Sequence, residues 1–338
     1  MIQKQGMPTG DRPLPKQASC SLEETRKGGQ TLPIVCGIRE NEGVLLTRPC
    51  PMSSLPAHLP TSPNQPTSDI QLLVLDIDGT ISGESNTVRE PVKQAVKAAQ
   101  AKGVQVAIAT GRMYHSALRF HQDIGATLPL MAYQGAMVKD PACGRLHRHW
   151  TVPTRFAAEL LDYFEQPHLR SQVSVHFYIN DQLYVREVTP ETEDYVARSK
   201  IQPIAVGDLR NTLETEPTKV LALCEDTQVI DQLMVSLKQR YAGGDLYLTK
   251  SVATFLEATN ALVNKGTAVR YLAETHLGLK PEQVMAIGDN FNDAEMLEYA
   301  GLGVAMGNAP AQVQALANWV APDVEADGVA AAIEEFLL

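Results

Sequence analysis

The sequence has 338 residues, 44% hydrophobic and 20% charged, with 39 acidic against 29 basic side chains and a net charge of −10. That length admits one large domain or two modest ones, and the composition is ordinary for a globular protein. The acidic balance argues against a nucleic-acid partner, whose phosphates call for clustered Lys and Arg, and no apolar run approaches the ~20 residues of a membrane span.

In chain order, residues 1–68 come first and stand apart. They hold ten of the 21 prolines and three of the five cysteines, with Pro49, Pro51, Pro56, Pro60, Pro63 and Pro66 in close succession. Prolines at that density remove amide donors and restrict their neighbours, so a disordered or loosely attached extension is expected. Met7 and Met52 offer alternative starts. The cysteines are scattered with no C-x-x-C pair, and the N-terminus lacks the apolar centre of a signal peptide. A cytoplasmic protein without a disulfide framework is the expectation.

From Ile70 the pattern changes. Leu72 to Leu75 is a continuous apolar run, as expected of a strand buried on both faces of a parallel sheet. A helix is predicted over Glu90 to Lys102, with Val92, Ala95, Val96 and Ala99 on one face, then a strand over Val104 to Ala109 and a helix over Tyr114 to Gln122. This βαβα order predicts an α/β fold with a doubly wound, mostly parallel, Rossmann-like sheet. About 100 residues of different character follow. Strands at Val173 to Ile179, Leu183 to Arg186 and Lys219 to Cys224 mix with helices at Arg155 to Phe164 and Val229 to Arg240. An inserted α+β cap at residues 152–256 is expected, leaving 69–151 and 257–338 to form the sheet domain. Alternation returns with a helix over Lys265 to His276 and a strand over Gln283 to Ile287. Next come a helix over Asp293 to Tyr299, a strand over Leu302 to Ala305, and helices over Pro310 to Ala317 and Asp327 to Leu338.

The residues suited to chemistry gather at expected strand ends, where open parallel sheets bind ligands. Asp76-Ile77-Asp78-Gly79-Thr80 follows the first strand, and a turn at Gly79 lets both carboxylates face one site. Two acids there suit a nucleophile and a proton donor, and also Mg²⁺, which prefers hard oxygen ligands. Thr110-Gly111-Arg112 follows the second strand and offers a hydroxyl and amides to a phosphate. Lys265 opens a helix, where a cation is unfavourable unless an anion compensates it; in isolation the motif also suits an exposed lysine. In Gly288-Asp289-Asn290-Phe291-Asn292-Asp293, Asp289 is a natural metal ligand and Asp293 suits a helix N-cap. The glycines from Gly301 to Gly307 read as tight packing near the site, since the G-x-G-x-x-G pattern lacks a dinucleotide context.

In their order and placement these residues resemble the haloacid dehalogenase superfamily, and specifically its Cof-type phosphatases, over about Gln71 to Leu338. The likeness includes Tyr133-Gln134-Gly135-Ala136 and Phe255-Leu256-Glu257. It departs at Gln134, where the family usually has Asn, and at Asn260-Ala261, where it usually has Pro-Lys. The resemblance implies hydrolysis of a small phosphorylated metabolite, with a sugar phosphate favoured, through an aspartyl phosphate on Asp76. Asp78 would protonate the leaving oxygen and activate water. Thr110, Gly111, Arg112, Lys265 and Asn292 would hold phosphate or substrate. Mg²⁺ would sit among Asp76, the Asp78 carbonyl and Asp289, supported by Asp293. A phosphomutase or a phospho-aspartate signalling receiver are the alternatives; a receiver needs neither a second acid at Asp78 nor so large a cap. His168, His176 and Tyr178 are candidate cap contacts to substrate, against core packing or exposure as the plainer role.

Overall fold

The computed structural model describes residues 69–338; the extension expected at 1–68 lies outside the described residues. Strand β1 (Leu72–Leu75) is buried along its whole length. Helix α1 (Glu90–Ala101) has proline in its first turn and buries Val92, Ala95, Val96 and Ala99, the i, i+3, i+4, i+7 stripe that the sequence predicts. β2 (Gln105–Ile108) and α2 (Tyr114–Asp123) follow. A small antiparallel sheet then appears that was not anticipated: β3 (Leu130–Ala132), β4 (Met137–Lys139) and β5 (Leu146–His149).

The inserted segment contributes α3 (Thr154–Phe164), β6 (Ser174–Ile179), β7 (Gln182–Val185), α4 (Pro190–Ser199) and β8 (Pro203–Ala205). It continues with β9 (Lys219–Leu223), α5 (Thr227–Arg240), β10 (Leu246–Thr249) and β11 (Phe255–Asn260). Six strands form one sheet in the order β10-β11-β9-β6-β7-β8, antiparallel except for β7 with β8. The expected boundary at 257 cuts through β11. Glu257 and Ala258 pair with β9, and Glu257 through Asn260 pair with β10, so these residues belong to the cap sheet. Side chains alternate across this sheet. Val220 and Ala222 join the cluster formed with α3 and α5, whereas Leu221 and Leu223 turn to the other face.

The chain then returns to the first sheet through α6 (Lys265–Arg270), β12 (Val284–Gly288), α7 (Ala294–Tyr299), β13 (Leu302–Ala305), α8 (Ala311–Gln314), β14 (Trp319–Val320) and α9 (Gly328–Leu337). The helix predicted to His276 is α6 continued by a π-helical stretch, Tyr271–Leu277, that stops at left-handed Gly278. The predicted helix at Pro310 to Ala317 shrinks to the four residues of α8. Gly303 packs as expected: an added Cβ would lie 2.4 Å from the Leu297 carbonyl. The five-stranded sheet runs β14-β13-β12-β1-β2, all parallel. Its register places Leu75 beside both Ile108 and Ile287. The residues that follow β1, β2 and β12 therefore emerge together at one edge.

In the cap, His176 is fully buried, with Nε2 2.9 Å from the Thr192 hydroxyl. Burial, and then the charge of Lys219, push its pKa down to about 3. In the unfolded chain the imidazole binds a proton near 6.5, so between about 6.5 and 3 the unfolded state holds more protons and stability falls as pH falls. His176→Gln is expected to flatten this acid limb, measured as urea stability between pH 7 and 4. An unchanged slope would show that other groups govern acid unfolding.

Candidate active site

Asp76 lies just past β1 and is buried, held between the chain leaving β2 and the chain leaving β12. The turn after it needs Gly79, whose φ is 82° and whose Cβ, if present, would lie 2.1 Å from Asp289 Oδ2. Asp289 thus packs directly over the Asp76–Thr80 turn. The Thr80 hydroxyl reaches both acids, at 3.5 Å from Asp76 Oδ2 and 3.4 Å from Asp289 Oδ1. Thr80 was part of the quoted motif but was not expected at the site.

Lys265 is the first residue of α6, whose start is fixed by Asn264 in a capping box with Thr267. Its side chain is fully buried and Nζ donates to Asp76 Oδ1 at 2.6 Å and to Asp293 Oδ1 at 2.5 Å. The exposed-lysine reading is thereby corrected: two anions compensate the cation. Burial works against the ammonium, but Asp293 and Asp76 outweigh it and hold its pKa above the ordinary lysine value. For Asp293 it is the alternative N-cap role that is set aside. Its Oδ2 accepts from the Asp289 and Asn290 amides at 2.9 and 3.0 Å, so the carboxylate closes the 3₁₀ turn before α7 and does not cap α7.

Carboxylate oxygens of Asp76, Asp289 and Asp293 lie within 4.8 Å of one another. Burial, then the neighbouring carboxylates, push Asp76 up to about 7 despite Lys265, and burial with Asp76 and Asp293 pushes Asp289 up to about 9. Three acids share one lysine, and among the described residues Asp289 meets only the weak donors Thr80 and Asn308. Both oxygens of Asp293 are taken by Lys265 and the amides, which leaves Asp76 and Asp289 as donors. An all-oxygen set with excess negative charge fits a small hard divalent cation such as Mg²⁺.

Asp78 turns the other way. It accepts from Arg112 Nε at 2.7 Å and Nη2 at 2.6 Å, and from Arg198 Nη2 at 3.0 Å. Burial raises its pKa, but these two guanidinium groups overcome that and hold it below the ordinary carboxylate value. Arg112, expected on phosphate or substrate, is therefore engaged with Asp78 and with Asn86 Oδ1 at 2.8 Å. Arg198 comes from α4 of the cap and was not anticipated. The last carbonyls of α4 are docked on the sheet domain: Arg198 O accepts from Asn86 Nδ2 at 2.8 Å, and Ser199 O from the Ser116 hydroxyl at 2.9 Å.

A second, buried network joins cap to sheet domain. Lys219 Nζ donates to Glu257 Oε2 at 2.9 Å and to the Gly111 carbonyl at 2.7 Å. Gln134 Nε2 donates to the same Glu257 oxygen at 3.2 Å, and Gln134 Oε1 accepts from Asn292 Nδ2 at 3.1 Å. Asn292 Oδ1 is buried without a partner among the described residues. Lys219 and Glu257 are functional candidates that sequence spacing alone could not join. A cavity of about 580 Å³ lies between the two sheets. Asp76, Asp78, Thr110, Arg112, Asp289 and Asn292 line it from below, and Gly111 also borders it. Thr110 Oγ1 accepts from the Arg112 amide at 3.1 Å, which leaves its hydroxyl proton for another partner. Lys265 reaches the floor through Asp76 without lining the cavity. His176 packs inside the cap, Tyr178 is buried against Tyr133 of the sheet domain and His168 is exposed; none of the three borders the cavity.

Residues 73–333 match the haloacid dehalogenase-like hydrolase family. The chain belongs to that family. Within it the likeness is to Cof-type phosphatases. A Bacillus subtilis 5-amino-6-(5-phospho-D-ribitylamino)uracil phosphatase is 29% identical over 275 residues, covering 78% of this chain and 97% of its own length. An Escherichia coli pyridoxal phosphate phosphatase is 26% identical, covering 79% and 99%. Among solved structures, a Thermotoga maritima protein superimposes with a TM-score of 0.66 at 28% identity, covering 79% of this chain and 97% of its own. The haloacid dehalogenase-like fold, a parallel core sheet with a separate, mostly antiparallel cap sheet, is thus shared with these relatives. No helix among the described residues is long and apolar enough to cross a membrane.

Proposed function

We propose that this phosphoric monoester hydrolase cleaves a small phosphorylated metabolite through an aspartyl phosphate on Asp76, with Mg²⁺ as cofactor and the cytoplasm as its compartment. The observation that carries this reading is Asp76 itself. It is a buried carboxylate at the carboxyl end of the interior strand β1, bonded to a buried lysine and opening onto the cavity floor. Asp76 attacks phosphorus, forming the Oδ–P bond as the ester P–O bond breaks, and the leaving oxygen takes a proton from Asp78. Water then attacks the phosphoryl group, gives its proton to Asp78, and the Oδ–P bond breaks to free Asp76. Asp78 is held ionised by Arg112 and Arg198, which suits the second half of this cycle. To serve as acid in the first half it must take up a proton and relax one of these contacts as the ester enters.

Thr110 and Asn292 present polar atoms to the phosphoryl oxygens, and Lys265 fixes and charge-balances Asp76. Asp76, Asp289 and the Asp78 carbonyl would hold Mg²⁺, which when bound neutralises charge on the transferring phosphoryl group. A sugar phosphate is the substrate expected from the family resemblance, and the cap wall bears on that separately. Chelation with EDTA is expected to remove phosphate release from p-nitrophenyl phosphate, and Mg²⁺ to restore it. Ca²⁺ is expected to restore little, because it favours more ligands in looser geometry. Undiminished release after exhaustive chelation would remove the metal from the scheme. Steady phosphate release beyond one equivalent separates hydrolysis from a mutase or a receiver, which return or retain the phosphoryl group.

A further inference from the structure

The cap side of the cavity carries less usable polarity than its charged residues suggest. Lys219 and Glu257 are spent on each other, with Gly111, Gln134 and Ser251 taking the remaining contacts. Arg198 directs Nη2 to Asp78. Beside the hydroxyls of Ser199 and Thr254, what remains facing the cavity from the cap is of two kinds. One is apolar: half-buried Tyr195 and Phe255, with ring centroids 6.1 Å apart and planes tilted by 54°, backed by Leu221 and Leu223. The other is acidic: Glu191, Asp194 and Glu225, none of which forms an ion pair among the described residues. One oxygen of Glu191 accepts from Ser174.

A polyol leaving group wants several hydrogen-bond partners, and hydroxyls set against Tyr195, Phe255 and the leucines would lose water without replacing it. A flat ring gains from the same surface, through apolar burial and aromatic contact. A second phosphate or carboxylate would meet unpaired carboxylates, whereas an ammonium would be attracted by them. We infer that the leaving group is neutral or cationic with a flat aromatic or heteroaromatic face, and that leaving groups bearing a second anion are rejected. Tyr195, Phe255, Asp194 and Glu225 are the residues that impose this choice. The inference rests on the phosphatase reading above and runs against a sugar phosphate.

The test uses the full chain with Mg²⁺ and esters whose leaving alcohols are all of alkyl or benzyl type, so that recognition dominates the comparison. These are benzyl phosphate, its 4-aminomethyl and 4-carboxy derivatives, and glucose 6-phosphate. Benzyl phosphate is expected to exceed glucose 6-phosphate in kcat/KM by about tenfold or more, the scale of one good aromatic contact with its burial. The aminomethyl ester is expected to match or exceed benzyl phosphate. The carboxy ester is expected to fall about tenfold below it, chiefly through KM. Tyr195→Ala should lower the benzyl esters more than glucose 6-phosphate, and Asp194→Asn with Glu225→Gln should recover the carboxy ester selectively. Glucose 6-phosphate or the carboxy ester performing as well as benzyl phosphate would overturn the inference. If that happens while p-nitrophenyl phosphate is still hydrolysed, and Asp76→Asn abolishes that hydrolysis, only the substrate class is wrong. If no ester is hydrolysed with Mg²⁺ present, the phosphatase reading fails and the inference with it.

Discussion

Asp76→Asn is expected to reduce phosphate release by ~10³-fold or more, the scale of loss when a group acting at the reacting atom is removed. The substitution keeps the volume and leaves one oxygen for the Lys265 ammonium, which now makes its 2.6 Å contact with an amide carbonyl. The side chain no longer offers an anionic oxygen to phosphorus. Lys265 keeps its second partner, Asp293, so the fold is expected to survive. The check is phosphate release from p-nitrophenyl phosphate at saturating Mg²⁺, with circular dichroism to confirm folding. A folded variant retaining more than a tenth of the activity would move the nucleophile elsewhere.

Lys265→Met should be costly in both activity and stability. The lysine is buried between Asp293, which is sealed from water, and Asp76, which opens only onto the cavity floor. Removing one member of a buried ion group strands the others, at a cost of ~3–5 kcal/mol. Asp293 would suffer first, since its other oxygen anchors the amides of Asp289 and Asn290 and thereby the turn that carries Asp289. Urea unfolding should show the loss directly, and turnover should disappear. Near-normal stability would mean that Asp293 and Asp76 are neutral in the native protein and that the lysine carries little of their charge balance.

Much of the core could be read from sequence because its strands are buried on both faces. Leu72–Leu75 and Val284–Gly288 announce themselves as apolar runs, and their carboxyl ends mark where Asp76 and Asp289 must emerge. The cap was legible only as a change of pattern. Helix α4 shows why: Thr192 and Ser199 are the only residues it buries fully, and neither is apolar, so it leaves no hydrophobic stripe to detect. Tyr195 and Arg198 were hidden with it. Thr189 and Pro190 at its start were the available signal, an N-cap followed by proline at the first helical position. Lys219 and Glu257 are 38 residues apart on neighbouring strands, a pairing that only sheet register reveals. Asp293 was expected in support of the site, but its alternative role as an N-cap could not be set aside from sequence, because a residue at a helix start can direct its carboxylate forward or back with the same local sequence.

The position of β1 has a consequence for how the enzyme is made. β1 lies between β2, which follows it closely, and β12, which the ribosome supplies only after the entire cap. Lys265 and its partner Asp76 are 189 residues apart. While the chain is being synthesised, one side of β1 therefore remains an unpaired apolar edge, the sort of surface that invites association with other chains. The cap sheet has all of its strands within 174–260, and can close before β12 emerges. Completion of β12 then seals the exposed edge and carries Asp289 to Asp76 in the same step. The nascent protein thus possesses its cap sheet before Asp289 meets Asp76, and the passage between those two moments is when it most needs protection from its neighbours.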